Sequence, residues 1–132
     1  YVMRCAVENI GYRIYGYKGK QVRDNIHSED YINALMKIVN KPTRGEIFNL
    51  GGGRFSNCSV LEAIQIAGEI AGNEMKVEYV DQERRADHIW YISNMSKFEA
   101  HYPEWQPKYD TRSILQEIYD HNFERWQEGT GS

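Results

Sequence analysis

Apolar and polar positions follow two different periods along the chain, so the sequence predicts both helices and strands. Helical patterns or capping residues predict helices over residues 1–9, 28–40, 59–71 and 110–126, with a shorter one between 93 and 103. Alternating or compact apolar segments predict short strands at 12–15, 22–27, 46–50, 75–80 and 89–92. Because helices and strands alternate, we expect a mixed α/β (α+β) fold in one small domain, with about four to five helices.

Capping residues predict where several helices begin and end. Ser59 and Glu62 have the spacing of a capping box for a helix through Ala71, and Gly72 follows as a stop. Further helix starts are predicted at Ser28, at Ser93, and at Asp110 or Thr111. The buried face of the final helix is predicted to comprise Ile114, Leu115, Ile118, Tyr119 and Trp126.

Composition narrows the class of protein. The 132 residues are 41% hydrophobic and 13% aromatic, which argues against disorder, and the net charge of -3 argues against a general polyanion binder. The two cysteines, Cys5 and Cys58, lie far apart, and no apolar run is long enough to cross a membrane. We therefore expect a cytoplasmic domain over residues 1–128 without membrane association, followed by a flexible tail or cloning remnant at 129–132.

Two kinds of residue could bind an anion. The glycines at 51–53 precede a predicted helix, but they lack the Lys-Ser/Thr of a P-loop and the spacing of a dinucleotide fingerprint, so a strand-ending turn is the simpler interpretation. Arg23 stands beside Asp24, and Arg84 precedes Asp87 by three residues. Each guanidinium has the geometry to bind phosphate oxygens, or alternatively pairs with its neighbouring aspartate on the surface.

Other chemistries find less support. The four histidines have no metal-ligand spacing, and no serine or cysteine lies in a nucleophile motif, so we expect no metal site and no catalytic residue in this chain. Residues 12–23 interleave tyrosines with lysines and arginines, which is a pattern for stacking single-stranded nucleic acid. The acidic overall charge makes a nucleic-acid partner the weaker alternative.

Three segments, 14–28, 46–63 and 84–93, resemble segments of one protein family and occur in the same order as in that family. They are similar to the C-terminal part of the extended short-chain dehydrogenase/reductases, the NAD-dependent nucleotide-sugar epimerases and dehydratases. The resemblance covers residues 1 to about 122. It is narrowest to the CDP-tyvelose (CDP-paratose) 2-epimerases, through Gly-Tyr-Lys-Gly-Lys-Gln-Val-Arg-Asp at 16–24, Gly-Gly-Gly-Arg-Phe-Ser-Asn-Cys-Ser at 51–59 and Asp-His-Ile-Trp at 87–90.

The resemblance implies a substrate site. It implies that Arg23 and Arg84 bind the diphosphate of a nucleotide sugar such as a CDP-sugar, that Asp87 completes the second motif, and that Asn49 makes a further contact near the ligand. At Arg85 and Ala86 the chain departs from the hydrophobic-glycine pair usual in the family.

The resemblance also implies what this chain does not contain. Intact members carry an N-terminal Rossmann half that binds NAD and a Tyr-x-x-x-Lys pair, and neither pattern occurs in these 132 residues. We therefore expect nucleotide-sugar binding without catalysis by this chain alone. The chain would then be half of a split enzyme with a separate Rossmann-type chain, a binding module, or a self-assembling module that has lost its ligand.

Self-association is expected for a further reason. In the family layout, the helix at 28–40 and the strand at 46–50 lean on the Rossmann half, so without it an apolar face is left open. The residues expected on that face are Leu35, Ile38, Val39 and Phe48. A homo-oligomer, most simply a dimer, would cover them.

Overall fold

The computed structural model describes residues 1–82 and 88–128. These residues form five α-helices and five short strands, which confirms the mixed α/β fold class. The helices are α1 (Val2–Glu8), α2 (Ser28–Asn40), α3 (Val60–Ala71), α4 (Ser96–His101) and α5 (Thr111–Glu128). The strands are β1 (Tyr12–Tyr15), β2 (Val22–Asp24), β3 (Asn57–Ser59), β4 (Val77–Val80) and β5 (Trp90–Tyr91).

The described strands pair in two small sheets. Strand β1 lies parallel to β4, with Tyr12 opposite Val77. Strand β2 is the centre of the second sheet, between the antiparallel β3 and the parallel β5. The residues that follow β5 therefore leave the sheet beside β2, which brings distant parts of the chain together there.

Two predicted helix starts are confirmed by side-chain hydrogen bonds. Ser59 and Glu62 form the complete capping box of α3, in which the Ser59 Oγ accepts from the Glu62 N–H and the Glu62 carboxylate accepts from the Ser59 N–H. The Asp110 carboxylate accepts from the Ser113 N–H at 2.8 Å, so Asp110 starts α5. These bonds lower the pKa of both carboxyl groups, because they favour the charged form.

One predicted cap and one predicted helix start are wrong, although α2 spans Ser28–Asn40 as predicted. His27, and not Ser28, caps α2, because its Nδ1 accepts from the Glu29 N–H at 3.2 Å and Ser28 is already helical. The short helix α4 begins at Ser96, where the Asn94 side chain accepts the Ser96 N–H at 3.0 Å. In both places several polar residues compete for one cap, and the backbone geometry selects among them.

The strand predicted at 46–50 is wrong, and the strand predicted at 22–27 ends at Asp24. Residues 46–50 are irregular. Their alternation is real, because Ile47 is 82% exposed while Phe48 and Leu50 pack against a buried aromatic cluster. The pattern thus reports contact with that cluster, whereas a strand also requires a neighbouring backbone to pair with.

The buried core residues form two clusters. The first is aromatic: Phe98, Tyr102 and Trp105 are buried with Ala34 and Met95. The second lies between α1, α3 and α5, where Met3, Ala6, Ala67 and Leu115 are buried. Leu115, Tyr119 and Trp126 belong to it as predicted, whereas Ile118 is exposed. Among the described residues, no helix combines the length and apolarity needed to span a membrane.

Candidate functional site

Strand β2 presents Arg23 at the centre of the second sheet. Residues directly opposite each other in paired strands share a face, so Arg23 shares its face with Cys58 of β3 and Tyr91 of β5. The Arg23 side chain is half-buried, and its Nη1 donates to the Val22 carbonyl at 2.7 Å. The paired strands therefore fix the backbone position from which the Arg23 side chain extends.

A cavity of about 170 Å³ adjoins Arg23. The aromatic residues Tyr12 and Tyr15 line it, together with Gln21, which lies two residues before Arg23 on the same face. Its Nε2 donates to the Tyr15 carbonyl at 3.3 Å. The cavity is thus lined by two arginines, Arg13 and Arg23, and by tyrosines, a set that fits an anionic group joined to a planar ring.

Asp24 joins three segments of the chain. Its Oδ2 accepts hydrogen bonds from the Gly53 N–H at 2.9 Å and from the Ser93 N–H at 3.0 Å. Strand β2 is thereby tied to the turn after residue 50 and to the segment that follows β5. Asp24 therefore fixes the position of residues just after β5 relative to the strand that carries Arg23.

The glycines at 51–53 serve close packing and do not form an anion site. The Gly53 N–H donates to Asp24, and the Gly51 N–H approaches the Met95 sulfur at 3.3 Å. A side chain at Gly52 would collide with the backbone carbonyl groups of Asn25 and Ser56. The interpretation as a turn is therefore the one that the structure supports, and a carboxylate already occupies the position that an anion would take.

The four predicted site residues are not all brought together in the described part of the chain. Asn49 is exposed between Phe48 and Leu50 and does not line the cavity beside Arg23. Arg84 and Asp87 lie outside the described residues. Sequence reasoning missed Gln21 and the linking role of Asp24. The signal for both was their position, since Gln21 directly precedes β2 and Asp24 follows Arg23 within it.

The cysteine beside Arg23 has no reactive character. Cys58 is half-buried, and burial raises the pKa of its thiol, so the neutral form dominates at physiological pH. In residues 1–82 and 88–128, no group of three or more His, Cys, Asp or Glu side chains is arranged to hold a metal ion.

Comparison with known proteins identifies relatives of one kind. No family model matches the chain. CDP-paratose 2-epimerase of Salmonella typhi is 29% identical over 106 residues, which are 77% of this chain and 30% of that protein. A low-salt glycan biosynthesis protein of Haloferax volcanii is 32% identical over 110 residues, which are 82% of this chain and 33% of the relative. The chain thus spans about a third of the length of the curated relatives it matches.

Solved structures agree with this relationship. A dTDP-glucose 4,6-dehydratase from Bacillus anthracis, solved with NAD, superposes with a TM-score of 0.78 at 27% identity, covering 96% of this chain and 40% of that one. A UDP-glucuronic acid 4-epimerase from Bacillus cereus, solved with UDP-glucuronic acid and NAD, superposes with a TM-score of 0.79 over 91% of this chain and 37% of that one. At 20% identity the second likeness shows the fold alone.

Proposed function

We infer that this chain, which belongs to the extended short-chain dehydrogenase/reductase family, forms one wall of a nucleotide-sugar site. Within that family it corresponds to the C-terminal part of an NAD-dependent epimerase or dehydratase. The observation that carries the proposal is the half-buried Arg23 on the central strand, next to a cavity lined by tyrosines. A CDP-sugar is the ligand we propose, on the similarity to a CDP-paratose 2-epimerase.

Arg23 is the proposed contact to the diphosphate. A guanidinium presents a planar set of donors that matches two phosphate oxygens, and it stays charged at every physiological pH. Strand pairing on both sides of β2 removes most of the freedom that such a contact would otherwise have to restrict. Tyr12 and Tyr15 line the same cavity, and the nucleoside is proposed to lie beside them.

Arg84, Asp87 and Asn49 remain proposed contacts of the same ligand. The assignment of the first two rests on the family resemblance of their motif, which directly precedes β5, the strand paired with β2. Asn49 would contribute from the edge of the site, three residues before the Gly52 turn that Asp24 holds. A second arginine at residue 84 would balance the two negative charges of a diphosphate.

The described residues do not fit NAD, the cofactor present in solved relatives. A dinucleotide needs free backbone N–H groups at a glycine-rich turn. The amides of Gly51 and Gly53 instead meet Met95 and Asp24. We therefore propose that this chain binds substrate and performs no redox step alone, so that a Rossmann-type part, within a longer chain or as a separate one, would supply the cofactor.

An exposed apolar face supports the proposal that the chain is one part of a larger unit. Val39 is 67% exposed, and Tyr31, Ile32 and Met36 of the same helix are exposed with it, as is Ile47. Of the residues expected there, Ile38 and Phe48 instead pack against the aromatic cluster. We propose that the remaining two-thirds of such an enzyme packs on this face, and that a dimer of this chain is the alternative.

Replacing Arg23 by glutamine tests the proposed function. Binding by one wall of a cleft is expected to be weak, with a Kd in the millimolar range that corresponds to about 4 kcal/mol. Losing a charge-assisted contact to phosphate should raise the Kd for CDP-glucose about tenfold or more. The measurement is a titration followed by the chemical shifts of the protein backbone amides.

Arg4→Gln is the matched control, because Arg4 is exposed on α1, pairs with Glu8 along the same helix at 2.8 Å and does not line the cavity beside Arg23. This variant should bind CDP-glucose as the wild type does. Equal affinity of the Arg23 and Arg4 variants, with both folded, would refute the role of Arg23.

A further inference from the structure

A second cavity, of about 870 Å³, lies on β1 and β4, away from the cavity beside Arg23. The two cavities share only Ile14 among their lining residues. Ile14, Leu61 and Val80 are the apolar residues that line it and are called its floor, and Tyr79, which is 59% exposed, lines it as well. Nothing in the proposed nucleotide-sugar site uses this space.

Part of the edge of this cavity is a strained turn. Four consecutive residues have positive φ: Gly16 at 64°, Tyr17 at 47°, Lys18 at 51° and Gly19 at 76°. For the two residues with side chains this conformation costs about 1–2 kcal/mol each. Both Tyr17 and Lys18 line the cavity, so the unfavourable backbone is what places them there.

The surrounding structure holds the turn in place. A Cβ at Gly19 would come within 2.9 Å of Leu61 and 3.2 Å of Ile14, so the glycine packs directly on the floor of the cavity. The Gly16 N–H donates to the Val80 carbonyl at 3.3 Å, and the Lys20 N–H donates to the Tyr17 carbonyl at 3.0 Å. The turn therefore belongs to the same packed unit as the cavity.

The charges at the edge are mainly positive. Lys18 and Lys20 are exposed and line the cavity, as does Asp81. Within the described part of the chain, no salt bridge joins Asp81 to either lysine. Two ammonium groups above an apolar floor with phenol rings suit a ligand that has a planar ring and an anionic substituent.

We propose that this cavity is a second binding site, which takes a small aromatic anion. The ring packs on Leu61 beside Tyr79, and the anionic group lies between the ammonium groups of Lys18 and Lys20. The strained turn fixes the backbone at Lys18 before the ligand arrives, which reduces the ordering cost of binding.

Phenyl phosphate is the probe for this site, followed by the amide chemical shifts of the wild-type chain. We expect saturable shifts in residues 16–20 and 79–81, with a Kd of about 1–10 mM. The double variant Lys18→Gln/Lys20→Gln should weaken binding at least about fivefold. Lys76→Gln is the matched control, since Lys76 is an exposed lysine just before β4 that does not line the cavity.

Two further ligands test separately the contribution of the lysine charges and that of the aromatic ring. Neutral phenyl glucoside should bind more weakly than phenyl phosphate if the lysines act through charge, and inorganic phosphate should bind more weakly if the ring contributes. Equal binding by the double variant, or shifts confined to Val22–Asp24, Cys58 and Tyr91, would overturn the proposal. The latter residues report on the nucleotide-sugar site, so failure of one site is distinguishable from failure of the other.

Discussion

Replacing Gly52 by alanine should destabilise the protein by about 3 kcal/mol or more, because no atom near its α-carbon can move away. A Cβ there would collide with the Asn25 and Ser56 carbonyl oxygens and lie 2.7 Å from the Asn25 carbonyl carbon. These atoms belong to backbone that is already hydrogen-bonded, since the Asn25 N–H donates to Ser56 at 2.8 Å and the Ser56 N–H donates to Gly52 at 3.0 Å. Relief of the clash would break the turn that Asp24 holds.

Gly11→Ala is the control for this substitution. Gly11 is exposed, a Cβ there would have no atom within 4 Å, and its φ is not in the left-handed region. Its effect should stay within about 0.5 kcal/mol. Urea unfolding of the three proteins measures the difference. A Gly52→Ala variant as stable as Gly11→Ala would show that the turn is not packed as described.

Replacing Asp24 by alanine should cost about 3 kcal/mol, because two backbone N–H groups would lose one charged acceptor, and each such bond contributes about 1.5 kcal/mol or more. Those donors are Gly53 and Ser93, at 2.9 and 3.0 Å from the Asp24 Oδ2. The same variant should also weaken binding of CDP-glucose, since the turn and the segment after β5 would no longer be fixed to the strand that carries Arg23.

Asp24→Asn separates the geometry from the charge. Both donors reach the same oxygen, so an asparagine amide oxygen in that position can accept both bonds and only the negative charge is lost. We expect this variant to retain more stability than Asp24→Ala in urea unfolding, and to bind CDP-glucose at least as well as the wild type. If the two variants were equally unstable, the account of Asp24 as a hydrogen-bonded link would be wrong.

Local signals in the sequence predicted local structure well. The Ser59 and Glu62 capping box and the Asp110 cap depend on residues three positions apart, so the sequence contains all of the information needed. The strand at 46–50 was wrong because strand formation needs a partner that no local pattern can report. Burial of Phe48 and Leu50 against Phe98 produces the same alternation.

The candidate site was predicted only in part. The sequence singled out Arg23 from its motif, but which residues share its face depends on the register of β2 with β3 and β5. The role of Asp24 depends on hydrogen bonds with Gly53 and Ser93, which lie 29 and 69 residues further along the chain. A glycine run before a helix has the appearance of an anion-binding turn. Only the positions of the Asn25 and Ser56 backbone, which leave no room for a side chain at Gly52, show that these glycines serve close packing.

The most direct test of the nucleotide-sugar account is a titration of the wild-type chain with CDP and, separately, with cytidine, followed by the chemical shifts of its amides. The account predicts saturable shifts with CDP, centred on Val22–Asp24, Cys58 and Tyr91, and much weaker binding of cytidine, which lacks the diphosphate that Arg23 contacts. A folded spectrum that is unchanged at about 10 mM CDP, above the millimolar Kd expected here, or equal binding of the two ligands, would contradict it.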